Sequence, residues 1–259
     1  MEEYRFMSTV GKQFLIKLAD QVIRVVPVHD YVREYCRDYL LEDDHVRVDL
    51  EIRTTKDDIQ YERKKAEQMD LKEGNRGRKF SDEYLETLAV YRKIAQKMLR
   101  FNTFLFHGSV VAVDNEAYLF TANSGTGKST HAKLWMDLLQ DRAVMVNDDK
   151  PLIKIDGNHV IVYGTPYNGK HRLGNNIQVP LKAICILTRA SENTIEEITK
   201  REAYPILMQQ IYRPLEVEEL EKTFECVDRL VEGVKLYRLG CNMEIEAARI
   251  AYEKMNSSG

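Results

Sequence analysis

The sequence predicts an α/β chain of α+β character, built on a mixed β-sheet and preceded by a smaller α+β region. Two observations carry this. Short apolar runs separated by polar turns recur in the second half: residues 110–113 and 117–121 flank Asp114-Asn115-Glu116, and residues 152–155 and 160–163 flank Asp156-Gly157-Asn158. Such spacing marks hairpins, whose strands are antiparallel. The apolar run Tyr118-Leu119-Phe120 also leads through a glycine-bearing turn into a helical pattern over 128–139. That strand-to-helix step belongs to α/β architecture, so hairpins beside it argue for a mixed sheet.

Taken in order, residues 14–28 hold two apolar runs around Ala19-Asp20-Gln21, which predicts a strand pair. A short helix is expected over 31–40. Val46, Val48, Leu50 and Ile52 alternate with Arg47, Asp49, Glu51 and Arg53, the period-two mark of a half-buried strand. Residues 57–69 are charged and helical in propensity but only weakly amphipathic. The polar stretch 71–79 carries Gly74 and Gly77 and predicts an exposed loop. Ser81 then offers an N-cap, with Asp82 and Glu83 in the first turn, where the helix dipole favours acids. Leu85, Leu88, Tyr91, Ala95 and Met98 recur at helical spacing, so this helix packs one face.

The boundary is placed at residues 100 and 101. The first part, 1–100, is expected to offer a docking region for an acceptor or a partner, and 101–259 to carry the chemistry. Strands are expected at 103–106, 110–113, 117–121, 143–146, 152–155, 160–163, 182–187 and 234–239. Helices are expected at 128–139, 201–211, 217–232 and 245–255. The amphipathic rows 215–230 and 245–252 suit core packing, or a subunit contact that would make a homo-oligomer.

Composition narrows the function classes. The chain has 259 residues, 44% of them hydrophobic and 31% charged, with a net charge of -3. A chain this long can bury a sizeable core, and its charge balance points away from nucleic acid. Cys36, Cys185, Cys226 and Cys241 form no CxxC pair, so free thiols in a reducing compartment are expected. The six histidines show no HxxxH or HExxH spacing, which leaves a zinc site unsupported. Met1-Glu2-Glu3-Tyr4-Arg5 is too charged for a signal peptide, and no apolar run approaches the ~20 residues that cross a bilayer. The expectation is cytoplasmic, with neither a membrane nor a nucleic-acid partner.

The chemistry concentrates in Ala122-Asn123-Ser124-Gly125-Thr126-Gly127-Lys128-Ser129-Thr130. Small residues let successive backbone N–H groups converge on an anion at a helix N-terminus. Gly125 and Gly127 supply that freedom, Lys128 can reach the terminal phosphates of ATP, and Ser129 is placed to hold Mg²⁺. A turn that binds nothing would explain the glycines, but not Lys128-Ser129-Thr130 after them. The pattern departs from G-x-x-x-x-G-K-[ST] at its first glycine, which is Ala122 here.

Asn147-Asp148-Asp149 follows the apolar run 143–146. A carboxylate at the end of a core strand can face Mg²⁺ or take a proton from an attacking hydroxyl, although Asp-Asp alone reads as a polar turn. His107 ends another apolar segment, where a lone histidine is more often structural than catalytic. Residues 163–176 are glycine-rich and carry Lys170, His171 and Arg172 in a row. They suit either a solvated loop or a lid that brings Lys170 or Arg172 to phosphate charge.

In this order, His107-Gly108, the 122–129 loop and Asp148-Asp149 resemble the catalytic domain of the HPr kinase/phosphorylase family. The loop's Ser-Gly-Thr-Gly-Lys core also looks like that of ATP-dependent phosphoenolpyruvate carboxykinase. The resemblance covers roughly residues 107–172, and it implies a mixed-sheet P-loop kinase domain using ATP and Mg²⁺. It further implies that Lys128 binds phosphate and Ser129 ligates Mg²⁺. Asp148 would act as the base, Asp149 would help with metal or base positioning, and His107 would lie beside the carboxylates. The expected acceptor is a serine-bearing peptide or protein, or a serine-like small molecule. A carboxykinase-like activity and an ATP-switched binding module without turnover are the alternatives.

Overall fold

A computed structural model describes residues 11–43, 45–72, 78–169, 171–212, 214 and 216–257. The chain divides into two compact units, Met1–Lys97 and Met98–Gly259.

The first unit contains β1 (Phe14–Leu18), β2 (Gln21–Val26), α1 (Tyr31–Tyr35), β3 (Leu40–Leu41), β4 (Leu50–Arg53), α2 (Lys56–Lys72) and α3 (Asp82–Met98). Its strands lie in the order β3-β1-β2-β4, and β4 runs parallel to β2. Ala19 and Asp20 join β1 to β2 with φ of 45° and 68°. Two positive φ values in a two-residue turn give the twist that a hairpin needs. Ser81 caps α3 by accepting the Tyr84 amide at 3.3 Å. Leu85, Tyr91, Ala95 and Met98 are buried, while Leu88 is half-buried.

Three expectations change here. The strand read over 46–52 begins only at Leu50, where Asp49 is tied to Val22: its amide donates to Val22 O and its carboxylate accepts the Val22 amide, both at 2.9 Å. The helix expected over 31–40 stops at Tyr35, a 3₁₀ turn follows at Arg37–Tyr39, and Leu40 and Leu41 join the sheet against β1. The loop expected over 71–79 starts later, since α2 runs to Lys72; residues 73–77 lie outside the described set.

The second unit contains β5 (Thr103–Leu105), β6 (Ser109–Val113), β7 (Glu116–Thr121), α4 (Lys128–Leu139), β8 (Ala143–Asn147), β9 (Leu152–Asp156), β10 (His159–Tyr163) and β11 (Gln178–Arg189). It continues with β12 (Thr194–Glu197), α5 (Lys200–Gln209), α6 (Val217–Gly233), β13 (Lys235–Cys241) and α7 (Ile245–Asn256). The short strand β12 escaped the sequence reading. The main path is β5-β9-β10-β11-β7-β6-β8, with β13 parallel to β11 and β12 beyond it. The sheet is therefore mixed: β7 and β13 run parallel to β11, while the hairpins are antiparallel.

Strand alternation divides the core into two layers. Val110, Ala112, Ala117, Leu119, Ile184 and Ile186 face one side, with Ala203 and Leu207 of α5 and Val227 and Leu230 of α6. Val111, Val113, Tyr118, Phe120, Ala183 and Cys185 face the other, with Ala132 and Trp135 of α4 and Ala248 and Ala251 of α7. Strands covered on both faces need apolar residues at every position, which is why these segments read as continuous runs. Trp135 is fully buried, 5.0 Å from the Phe120 ring, and fixes α4 against β7.

Candidate active site

The topology explains why three separate segments meet. β6 is antiparallel to both β7 and β8, so those two flanking strands point the same way. Their C-terminal ends therefore lie at the end where β6 begins. The loop after β7, the Asp pair after β8 and His107-Gly108 before β6 are brought together. The Thr121 hydroxyl donates to His107 O at 3.1 Å, and the Gly108 amide donates to Asp149 O at 3.1 Å. A Cβ at Gly108 would lie 2.9 Å from Phe120 O, so this approach requires glycine.

The loop reaches α4 through Gly125 at φ 76° and Gly127 at φ 119°. A Cβ at Gly125 would meet nothing within 4 Å, so the glycine serves conformation rather than space. Ala122 lies outside the left-handed region and is 1% exposed within the Trp135 layer. The first position of the motif therefore tolerates a methyl group here. Gly127 caps α4 without a side-chain hydrogen bond, leaving the amides of its first turn directed toward the loop. Asn123 and Ser124 are exposed, Thr126 is half-buried, and Ser129 and Thr130 are exposed.

Lys128 is folded inward at 9% exposure, and its Nζ donates to Ala122 O at 3.1 Å. Burial lowers its pKa, and the charges of Asp149 and Asp148 oppose that shift. Asp148 is 8% exposed and accepts the Ser109 hydroxyl on Oδ1 at 2.7 Å. Ser129 lines the same groove and favours the ionised form of this carboxyl. Burial nevertheless pushes the Asp148 carboxyl above the usual carboxylate range; Ser109 and Ser129 oppose the rise and the Asp149 charge adds to it.

Asp149 faces a different set of groups. Its Oδ1 lies 3.5 Å from His107 Nε2 and its Oδ2 lies 3.7 Å from Lys150 Nζ. The two adjacent carboxylates thus face different groups from a bend that follows β8. Asn147 sets this turn. Its Oδ1 accepts the amides of Asp149 at 2.9 Å and Lys150 at 2.8 Å, and its Nδ2 donates to Thr165 Oγ1 at 3.0 Å. Of the two residues expected at the metal, Ser129 lines a groove with Asp148, while Asp149 faces His107 and Lys150.

His107 Nδ1 lies 3.2 Å from Gln210 Oε1. Burial holds its pKa below the ordinary histidine value, helped by the charges of Lys128 and Lys150 and opposed by Asp149. The imidazole is therefore neutral near pH 7. Gln210 arrives because the end of α5 pairs with the chain after β5: the His107 amide donates to Gln210 O at 2.7 Å. The residues are 103 positions apart, and no local pattern connects them.

The segment read as either a solvated loop or a lid is in its first part, Thr165 to Asn168, packed into the site's floor. Thr165, Tyr167 and Asn168 are buried, and the Lys150 amide donates to Tyr167 O at 3.2 Å. The Thr165 hydroxyl donates to Lys150 O at 2.9 Å, and these bonds fasten the segment beneath the Asp pair. Gly169, at φ 77°, has space for a Cβ only 3.6 Å from Asp148 O. Lys170 lies outside the described residues. His171 acts electrostatically on Asp148, and Arg172 is exposed at φ 49°. Arg189, at the end of β11, donates to Gly125 O. Arg189, Gln210 and Ser109 were absent from the sequence reading; only Ser109, adjoining His107-Gly108, stood close enough to a motif to be found.

No family model matches the chain, and no curated protein matches it. Among solved structures it is similar to the Hpr(Ser) kinase/phosphatase from Coxiella burnetii, at 12% identity and a TM-score of 0.32. That alignment covers 59% of this chain and 99% of the other. A likeness this distant decides neither the kind of fold nor the activity, so the functional reading rests on the site itself. Among the described residues, no helix is long and apolar enough to cross a membrane.

Proposed function

We propose that the chain is a Mg²⁺- and ATP-dependent kinase that moves the γ-phosphate to a hydroxyl of a serine residue or a serine-like small molecule. The observation that carries this reading is the buried carboxylate of Asp148, held by the Ser109 hydroxyl at 2.7 Å and sharing one groove with Ser129 at the start of α4. Burying a carboxylate is costly, and a structural turn gives it no use. Phosphoryl transfer does, because it needs a proton acceptor beside bound phosphate.

In this reading the amides of Asn123, Ser124, Gly125, Thr126 and Gly127 hold phosphate together with Lys128, and Thr130 borders the same helix face. The acceptor oxygen bonds to the γ-phosphorus while the bond to the bridging oxygen breaks and ADP leaves. Asp148 takes the hydroxyl proton. His107, neutral near pH 7, supports Asp149 without adding charge.

Among the described residues, no three His, Cys, Asp or Glu side chains form a metal site of their own. Mg²⁺ does not require one, since it commonly combines one or two carboxylates with substrate phosphates and water. Ser129 and the Asp pair fit that donor set; we assign Ser129 and Asp149 to the ion. Bound Mg²⁺ would neutralise phosphate charge.

The test is transfer from γ-labelled ATP into a lysate separated into protein, peptide and small-molecule fractions. Label entering one fraction supports the kinase and gives its acceptor class. Bound ATP with no label in any fraction favours a nucleotide-switched binding module.

A further inference from the structure

A groove of about 650 Å³ opens from the inner end of this site. Ser129, Asp148 and His171 stand at that end. One wall is α4, where Lys133 lies one turn beyond Ser129 and Asp137 one turn beyond Lys133. Those steps place Lys133 ~6 Å and Asp137 ~12 Å along the helix axis from Ser129. The other wall is β8, running outward from Asp148 to Ala143.

β8 ends the strand order of its sheet. Asn175 covers part of its outer side, with its amide on Val146 O at 3.2 Å and its Nδ2 on Met145 O at 2.8 Å. Farther out, Val144 is 41% exposed and Leu173 is 50% exposed, with Met136 opposite. Among the described residues Lys133 has no ion-pair partner, and its side chain is exposed. The groove therefore reads, outward from Asp148, as a cation, then an apolar patch bordered by Asp137.

We propose that this groove receives an extended serine-bearing peptide, with a carboxylate two positions from the serine against Lys133 and an apolar side chain two positions farther on. The serine's place at Asp148 rests on the kinase reading; the recognition beyond it rests on the groove. An extended chain rises ~3.3 Å per residue and turns alternate side chains to the same face, so ~12 Å takes about four residues. The second side chain beyond the serine reaches Lys133, and the fourth packs among Met136, Val144 and Leu173. Peptide addition along an open strand edge is a common mode of recognition.

The test uses two fluorescent peptides, Ser-Ala-Glu-Ala-Leu and its reverse Leu-Ala-Glu-Ala-Ser, each with Gln and Lys in place of Glu, against the full chain with Mg²⁺ and ATP. Anisotropy reports binding and γ-labelled ATP reports transfer. At least one Glu peptide should bind about fivefold more tightly than its Gln form, the scale of an exposed ion pair. Lys133→Glu should abolish that preference and transfer it to the Lys peptide. Equal binding of all three forms, absence of binding, or better transfer to free serine overturns the proposal. Selective binding with no transfer overturns the kinase reading and leaves the groove assignment standing. Transfer that ignores the carboxylate has the reverse meaning.

Discussion

The Ser109 hydroxyl lies 2.7 Å from Asp148 Oδ1. This bond joins the first residue of β6 to the residue that follows β8, and it steadies a carboxyl whose pKa is raised, chiefly by burial. A base must be ionised to accept a proton, so transfer falls as the pH drops through a raised Asp148 pKa. The acid limb should therefore lie above the ordinary carboxylate range. Ser109→Ala removes one bond that favours the ionised form and should move the limb to higher pH. A pH-rate profile checks this; an unmoved limb would separate Ser109 from the titrating group.

Gly164 controls the floor beside the groove. A Cβ there would fall 1.8 Å from Asn175 O, in the loop that pairs with β8. Gly164→Ala should destabilise the chain by about 3 kcal/mol or more, at the upper end of overpacking costs. Urea unfolding measures it, and a loss below about 1 kcal/mol would mean that the loop moves freely aside.

His131 gives the second unit an acid weakness. It is 2% exposed and accepts Trp135 Nε1 at 3.1 Å, and burial lowers its pKa to about 4. An unfolded imidazole protonates near pH ~6.5, whereas the folded one stays neutral to lower pH. The unfolded state thus binds more protons between those values, and stability declines as the pH falls through that window. His131→Gln should reduce the decline by about 3 kcal/mol at most. Identical pH dependence of unfolding in both proteins would refute the assignment.

Arg189 donates to Gly125 O and so braces the phosphate loop from β11. Arg189→Ala should weaken ATP binding about fivefold, in line with the loss of one hydrogen bond. The melting temperature should hardly change, because the side chain is exposed. Calorimetric titration with ATP decides the matter, and unaltered affinity would make the contact incidental.

What the sequence disclosed depended on how far apart the cooperating residues lie. The turn at Asp114 and Asn115, both at positive φ, and the helix Lys128–Leu139 arise from adjacent residues and were legible. The strand over 46–52 was misjudged because alternation gives a side-chain period but cannot reveal Asp49 tied to Val22. Ala122 broke a motif on paper, yet its position needs no left-handed backbone. Gln210 beside His107 and Thr165 beneath Asn147 are products of chain folding at long range. Asn147 itself looked like a strand end, and only its bonds to Asp149 and Lys150 reveal how it orients the acidic pair.

The central claim is that Asp148 takes the acceptor proton. The direct measurement compares wild type with Asp148→Asn, reading γ-label transfer into the fractionated lysate and Mg²⁺-ATP affinity on the same preparations. The account predicts loss of at least 10²-fold in transfer, the scale of general-base catalysis, with ATP affinity nearly unchanged. Wild-type turnover in the variant would contradict it.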